Sequence, residues 1–152
     1  MRESDLQVMV ADYLRLQYPN VLFHSDFGSG IKLTKGQAIK QKRQNGGMRG
    51  YPDMVILEPR KKVISSDEVT RDEVTSSRDK HTITYVYMKN HCGLFLELKK
   101  EGTRLKKKDG TWATEHIAEQ ANYLQALRDR GYDAHFAVGF EQAKEIIDSY
   151  LS

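Results

Sequence analysis

The 152-residue chain predicts an α/β domain with a mixed central β-sheet flanked by α-helices. Three observations predict it. Apolar residues recur at helical spacing near both ends and again ahead of Gly131; short β-branched or apolar runs lie between them; and the order is helix, strands, helix, strand, helix, mixed along the chain rather than segregated. The length suits one domain over residues 1–152 with a single hydrophobic core.

Leu6, Met9, Val10, Tyr13 and Leu14 mark one face of a helix from Glu3 to Tyr18, which Pro19 stops. Val21 to Phe23 reads as a short strand. From Gly28 to Gly50 the chain is rich in Gly and Lys and reads as a loop with one helical turn over Gln37 to Lys42. Asp53 to Leu57 has the character of a buried strand, approached through the turn signals Gly46-Gly47 and Gly50-Tyr51-Pro52. Ser65 to Thr82 is polar with no sustained apolar period, and reads as an inserted hairpin tip or mobile loop rather than a domain boundary. Ile83 to Met88 and Gly93 to Lys99 read as paired strands around a turn at Lys89-Asn90-His91. Thr114 and Gly131 bracket a helix whose apolar face includes Ile117, Ala121, Leu124 and Leu127. Ala134 to Val138 is a strand, and Phe140 to Leu151 an amphipathic helix burying Ala143, Ile146, Ile147, Tyr150 and Leu151.

A hydrophobic fraction of 39% with 30% charged residues fits a folded protein with a heavily charged surface. No apolar run approaches the roughly 20 residues that cross a bilayer, and no signal-peptide core stands at the N-terminus. We therefore expect no membrane partner and an intracellular, cytoplasmic location. Cys92 is the single cysteine, so no internal disulfide forms, and no Cys/His cluster has zinc-site spacing. The net charge of +3 says little until it is placed along the chain. Between Gly28 and Gly50 stand Lys32, Lys35, Lys40, Lys42, Arg43 and Arg49 with no acidic residue among them. A second basic cluster includes Lys99, Lys100 and Arg104. Such runs fit a surface that contacts nucleic-acid phosphates; solvated loops fit them equally well.

Strand geometry over Gly93 to Lys99 sends Leu94, Leu96 and Leu98 to one face and Phe95, Glu97 and Lys99 to the other. A carboxylate and an ammonium then stand side by side, an arrangement suited to phosphodiester hydrolysis. The first holds a divalent cation, and the second orients water or stabilises charge on the phosphate. Asp53 supplies a second carboxylate from a neighbouring strand, which meets the minimum that Mg²⁺ requires. Glu-x-Lys alone is weak, because charged residues are common enough for it to arise by chance. Its setting adds weight: an apolar opposite face, a Pro52-Asp53 ahead of another strand, flanking basic loops, and Gln120 on the stripe of Ile117, Leu124 and Leu127. A buried glutamine needs partners, and either nearby backbone or a site above the sheet provides them.

Glu3-x-x-Leu6-Gln7, Gly46-Gly47-Met48-Arg49-Gly50-Tyr51-Pro52-Asp53, Glu97-Leu98-Lys99 and Gln120 ahead of Leu127 and Gly131-Tyr132 together resemble the VRR-NUC domains of the PD-(D/E)xK nuclease superfamily, particularly the stand-alone forms of bacteriophages. The resemblance covers nearly the whole chain. It implies a restriction-endonuclease-like sheet, with Asp53, Glu97 and Glu3 as metal-binding residues, Lys99 assisting hydrolysis and Gln120 supporting the site. It implies Mg²⁺ or Mn²⁺ as the cofactor, branched or duplex DNA as the partner, a homodimer that resolves four-way (Holliday) junctions, and the host cytoplasm if the chain is phage-encoded. The chain departs from the family in the long interval between Asp53 and Glu97. Glu3 also has a second reading: Ser4-x-x-Gln7 fits a capping box that would put Glu3 just outside the helix.

Two other functions fit the sequence, a sequence-specific restriction-type endonuclease and a non-catalytic DNA-binding module. His24 and Asp26 lie near the basic stretch, but a lone His beside Phe23 is more often packed than ligating. Trp112 reads as the anchor of its loop, Glu58 as solvent-facing, and Tyr51 approaches DNA by position alone.

Overall fold

A computed structural model describes the backbone of residues 1–26, 32–71 and 81–152, and the side chains of these except in 61–71 and 81–89. Among the described residues four helices and six strands follow in the order α1 (Glu3–Gln17), β1 (Phe23–Ser25), α2 (Lys35–Gln44), β2 (Met54–Ile56), β3 (Arg60–Arg71), β4 (His81–His91), β5 (Leu94–Lys99), α3 (Glu115–Asp129), β6 (Asp133–Val138) and α4 (Gly139–Leu151). The sheet runs β1-β2-β5-β6, antiparallel except between β5 and β6. That parallel pair needs a crossover, which α3 supplies. The mixed sheet flanked by helices is the predicted fold class.

Every residue of β5 is buried because both of its edges are paired and both of its faces are covered. Leu94, Leu96 and Leu98 pack with Leu6, Val10 and Leu14 of α1 and with Ala143 and Ile147 of α4. Phe95, on the other face, meets Leu124 and Leu127 of α3 together with Val55 and Ala134. The strand's period of two thus divides the protein into three layers, and each fully buried leucine contributes about 1.5–3 kcal/mol.

Helix α3 is capped as expected, the Thr114 hydroxyl accepting from the Ile117 amide at 3.1 Å. At α1 the capping residue differs from the expectation. The helix begins at Glu3 with Arg2 as its N-cap, and the Arg2 amide donates to the Asp5 carboxylate at 3.0 Å. Ser4 and Gln7 form no capping box; Gln7 is buried on the helix face instead. The first strand lies at Phe23–Ser25, two residues beyond the Val21–Phe23 expected.

Two larger corrections concern the segments flanking the β2 strand. The single turn expected over Gln37 to Lys42 is a ten-residue helix, α2, capped by Thr34 and Gln37, each accepting from the other's backbone amide. Residues 27–31 of the same basic stretch lie outside the described residues. Further on, β4 does not pair with β5, and Lys89-Asn90-His91 is strand rather than turn. Both edges of β5 are taken by β2 and β6, so β4 pairs with β3, Arg60 opposite His91. Since Ile56 stands opposite Leu94, the β3-β4 ribbon continues the β2-β5 pair beyond the sheet across one irregularity. The polar Ser65–Thr82 insertion is therefore strand as far as Arg71 and again from His81, and 72–80 lie outside the described residues.

The two helices on the leucine face are clasped by Asp148 of α4, whose Oδ1 accepts from the hydroxyls of Tyr13 at 2.6 Å and Tyr18 at 2.7 Å. The Tyr13 hydroxyl, then that of Tyr18, holds the Asp148 carboxyl below its ordinary range against the opposing effect of burial. A carboxyl lowered on folding contributes stability above its unfolded pKa, and that contribution disappears as pH falls through the folded value. Asp148→Ala is therefore expected to destabilise the protein by about 1 kcal/mol at neutral pH, a value reduced for solvent screening. Urea denaturation from neutrality to about pH 3 should show the gap between wild type and variant closing below about pH 4.

Candidate active site

The carboxyl end of β5, the central strand, is where four elements converge. Glu97 and Lys99 leave β5 on the same face, and Lys99 Nζ donates to Glu97 Oε1 at 2.9 Å; both residues are buried. From α3, Gln120 Nε2 donates to the same oxygen. Asp53, immediately before β2, accepts from the Leu98 amide at 2.8 Å and so is tied to β5 between the two charged residues. Glu3, in the first turn of α1, lies 3.9 Å from the Lys99 ammonium and is 44% exposed at the mouth of the cluster.

The cluster is electrostatically strained. Burial pushes the Glu97 carboxyl up to about 8, the nearby Asp53 charge adds to that, and the Lys99 ammonium opposes it. Glu97 Oε2 and Gln120 Oε1 are buried with no hydrogen-bond partner among the described residues. Two orphaned buried oxygens beside a second carboxylate suit a hard cation, which takes oxygen ligands and completes its shell with water and substrate. Among the described residues no group of three or more His, Cys, Asp or Glu is arranged to hold a metal. A site with two carboxylates is therefore of the kind that binds Mg²⁺ or Mn²⁺ only with waters and phosphate completing the shell, and these residues fit it.

The turn before β2 is held against α3 by a backbone contact. Gly50 has φ +85°, and a Cβ there would lie 2.9 Å from the Gln120 Cα. Pro52 is fully buried behind it. Gln7 and Asp26 add a second tether: Gln7 Nε2 donates to the Asp26 carbonyl at 3.4 Å, and the Asp26 amide to the Asp53 carbonyl at 2.8 Å. The sequence marks Gly50-Tyr51-Pro52 as a turn, but the Gln7–Asp26 tether is a support that it does not announce. Gln7 stands one helical turn from Glu3 on the same face, and that spacing was the available signal.

Lys32, Lys35, Lys40, Lys42, Arg43, Arg49, Lys100 and Arg104 are all exposed. Lys35, Lys40, Lys42 and Arg43 ride on α2, a helix with no buried residue. Arg49 stands 3.9 Å from Glu119 of α3. Trp112 is half-buried against Phe136 at 5.7 Å, with Lys106 over its ring, which makes it a loop anchor. Glu58 is half-buried rather than solvent-facing, and its carbonyl accepts from the Tyr150 hydroxyl at 2.5 Å. Among the described residues no helix is long and apolar enough to cross a membrane.

A solved structure named VRR_NUC domain protein superimposes on this chain with a TM-score of 0.56, covering 99% of this chain and 88% of that one at 21% identity. The chain has the VRR_NUC fold. That fold is restriction-endonuclease-like, a mixed sheet between helices. No family model matches the sequence, and no curated protein matches it. At this identity the VRR_NUC likeness establishes architecture, and the chemistry must be argued from the side chains.

Proposed function

We propose that the chain is a metal-dependent DNA endonuclease, with Asp53 and Glu97 as the metal-holding carboxylates. The observation that carries this reading is the buried Glu97, one oxygen bonded by Lys99 and Gln120 and the other orphaned, beside Asp53 at the end of the central strand. A bound Mg²⁺ or Mn²⁺ supplies Lewis acidity toward the scissile phosphate. Lys99, fixed by Glu97, presents donors that orient the attacking water and stabilise negative charge on the phosphate. Gln120 holds the Glu97 carboxylate in place, and Glu3 at the mouth stands 3.9 Å from the Lys99 ammonium, which it helps to position. The exposed lysines and arginines of α2, the turn after it and the segment after β5 contact the DNA backbone, which positions the duplex without reading its sequence.

The finer form of the proposal is a homodimer that resolves four-way junctions, all within one domain. A two-fold dimer presents two such sites to the two symmetric strands of a junction. The test is cleavage of end-labelled four-way junction, flap and linear duplex DNA by pure protein with Mg²⁺, Mn²⁺ or EDTA, alongside light scattering for the oligomeric state. Metal-dependent cutting that follows the branch point is expected. Cutting that follows a short motif in linear duplex would select a restriction-type enzyme, and binding without any cutting a DNA-binding module.

A further inference from the structure

One strand outward from Asp53, beside the outer strand β1, stands a carboxylate that the site described above does not use. The β1–β2 ladder runs in the register Phe23 opposite Ile56, His24 opposite Val55 and Ser25 opposite Met54. One step further the Asp26 amide donates to the Asp53 carbonyl at 2.8 Å, so Asp26 stands directly opposite Asp53. Residues directly opposite in an antiparallel pair share a face, with Cα atoms about 5.5 Å apart where the pair is hydrogen-bonded. Met54 packs in the leucine core and Val55 with Phe95, so alternation turns Asp53, and Asp26 with it, toward the face that carries Phe95 and Glu97.

Other contacts agree with that placement. Gln7, buried on α1, donates its side-chain amide to the Asp26 carbonyl at 3.4 Å and so pins the backbone at this point. Burial first, then the neighbouring Tyr123 and Asp26, push the Tyr51 hydroxyl above its ordinary range, which puts the Asp26 carboxylate within electrostatic reach of the turn that carries Asp53. Asp26 itself is exposed, unlike Asp53 and Glu97. Water therefore reaches it. Glu97 Oε2 and Gln120 Oε1, buried without a partner among the described residues, direct a cation to the Asp53–Glu97 pair. A hard cation held by only two carboxylates keeps several waters, and each of those waters needs an acceptor.

We propose that Asp26 accepts hydrogen bonds from the waters that complete the cation's shell, and so sets how tightly the divalent metal is held. This rests on the nuclease reading above and adds a positioning residue to it. Standing one strand out from Asp53, Asp26 acts on the metal through water rather than as a ligand. Groups that orient the ligands and waters of a metal from outside its shell typically change affinity or activity about 10–100-fold. A charged acceptor bonds more strongly than a neutral one. An amide at position 26 therefore loses most of the effect, and a longer carboxylate keeps most of it.

The experiment is calorimetric titration of Mn²⁺ into DNA-free protein, followed by cleavage of the DNA that wild type cuts across a range of Mg²⁺ concentrations. Asp26→Asn and Asp26→Ala are expected to bind Mn²⁺ about tenfold more weakly than wild type and to need about tenfold more Mg²⁺ for half-maximal cleavage. Their rates at saturating Mg²⁺ should change far less than that requirement. Asp26→Glu, which keeps the charge, should bind Mn²⁺ within a few-fold of wild type. Wild-type Mn²⁺ affinity in Asp26→Asn, or an Asp26→Glu as weak as Asp26→Asn, would overturn the assignment while leaving the nuclease reading intact. A wild type that binds no Mn²⁺ and cuts no DNA would overturn that reading, and this one with it.

Discussion

Glu97→Ala is expected to reduce metal-dependent DNA cleavage by at least about a thousandfold, because the several kcal/mol that a divalent cation contributes are lost with its ligand. Glu97 is the residue on which the cluster converges, through Lys99, Gln120 and the shared field of Asp53. Single-turnover cleavage measures the loss, and calorimetric titration with Mn²⁺ should show the binding heat disappearing in parallel. Asp53 behaves differently because it has a structural bond as well. Asp53→Asn keeps an oxygen for the Leu98 amide, now 2.8 Å from the carboxylate, and should fold like wild type while losing activity. Asp53→Ala leaves that buried amide unsatisfied and should lose a further 1–3 kcal/mol or so of stability. Wild-type rates in Glu97→Ala would remove the proposed metal centre.

How the cluster could be anticipated is plain from β5. Alternation over Leu94 to Lys99 needs no knowledge of the fold to put Glu97 and Lys99 on one side, and the structure pairs them at 2.9 Å. The helical stripe of Ile117, Leu124 and Leu127 likewise aims Gln120 at the sheet, where it meets Glu97. Local periodicity decides both placements. Which strand lies beside β5 is a long-range matter that no local period encodes. For that reason β4 was expected next to it, whereas β2 and β6 fill both edges. The α2 helix escaped for a different reason: with no buried residue it has no apolar stripe to detect, and its signal was the Thr34-x-x-Gln37 capping box alone. The sequence leaves Glu3 between two readings because Ser4-x-x-Gln7 competes as a capping box, and the structure places Glu3 inside the first turn of α1.

Gly50→Ala is expected to cost about 2–5 kcal/mol of stability, combining left-handed backbone strain with overpacking. The residue has φ +85°, and its added Cβ would lie 2.9 Å from the Cα and 3.0 Å from the N of Gln120. Both obstacles are backbone, so no side-chain rotation relieves them; either the turn or α3 must move. Asp53 follows three residues later on the turn and Gln120 is the point of contact on α3, so the movement separates groups that meet around Glu97. A displacement of about 1 Å is enough to lower cleavage about a hundredfold. Gly47→Ala separates the two contributions. Gly47 has φ +78° and nothing within 4 Å of an added Cβ, so it carries the backbone strain without the collision. Denaturant unfolding should show Gly50→Ala to be the more damaging of the two, and only Gly50→Ala should lose activity in proportion. Equal stabilities would mean that the turn and α3 are not in tight contact, and that Asp53 owes its position to the Leu98 amide and the Gln7–Asp26 tether alone.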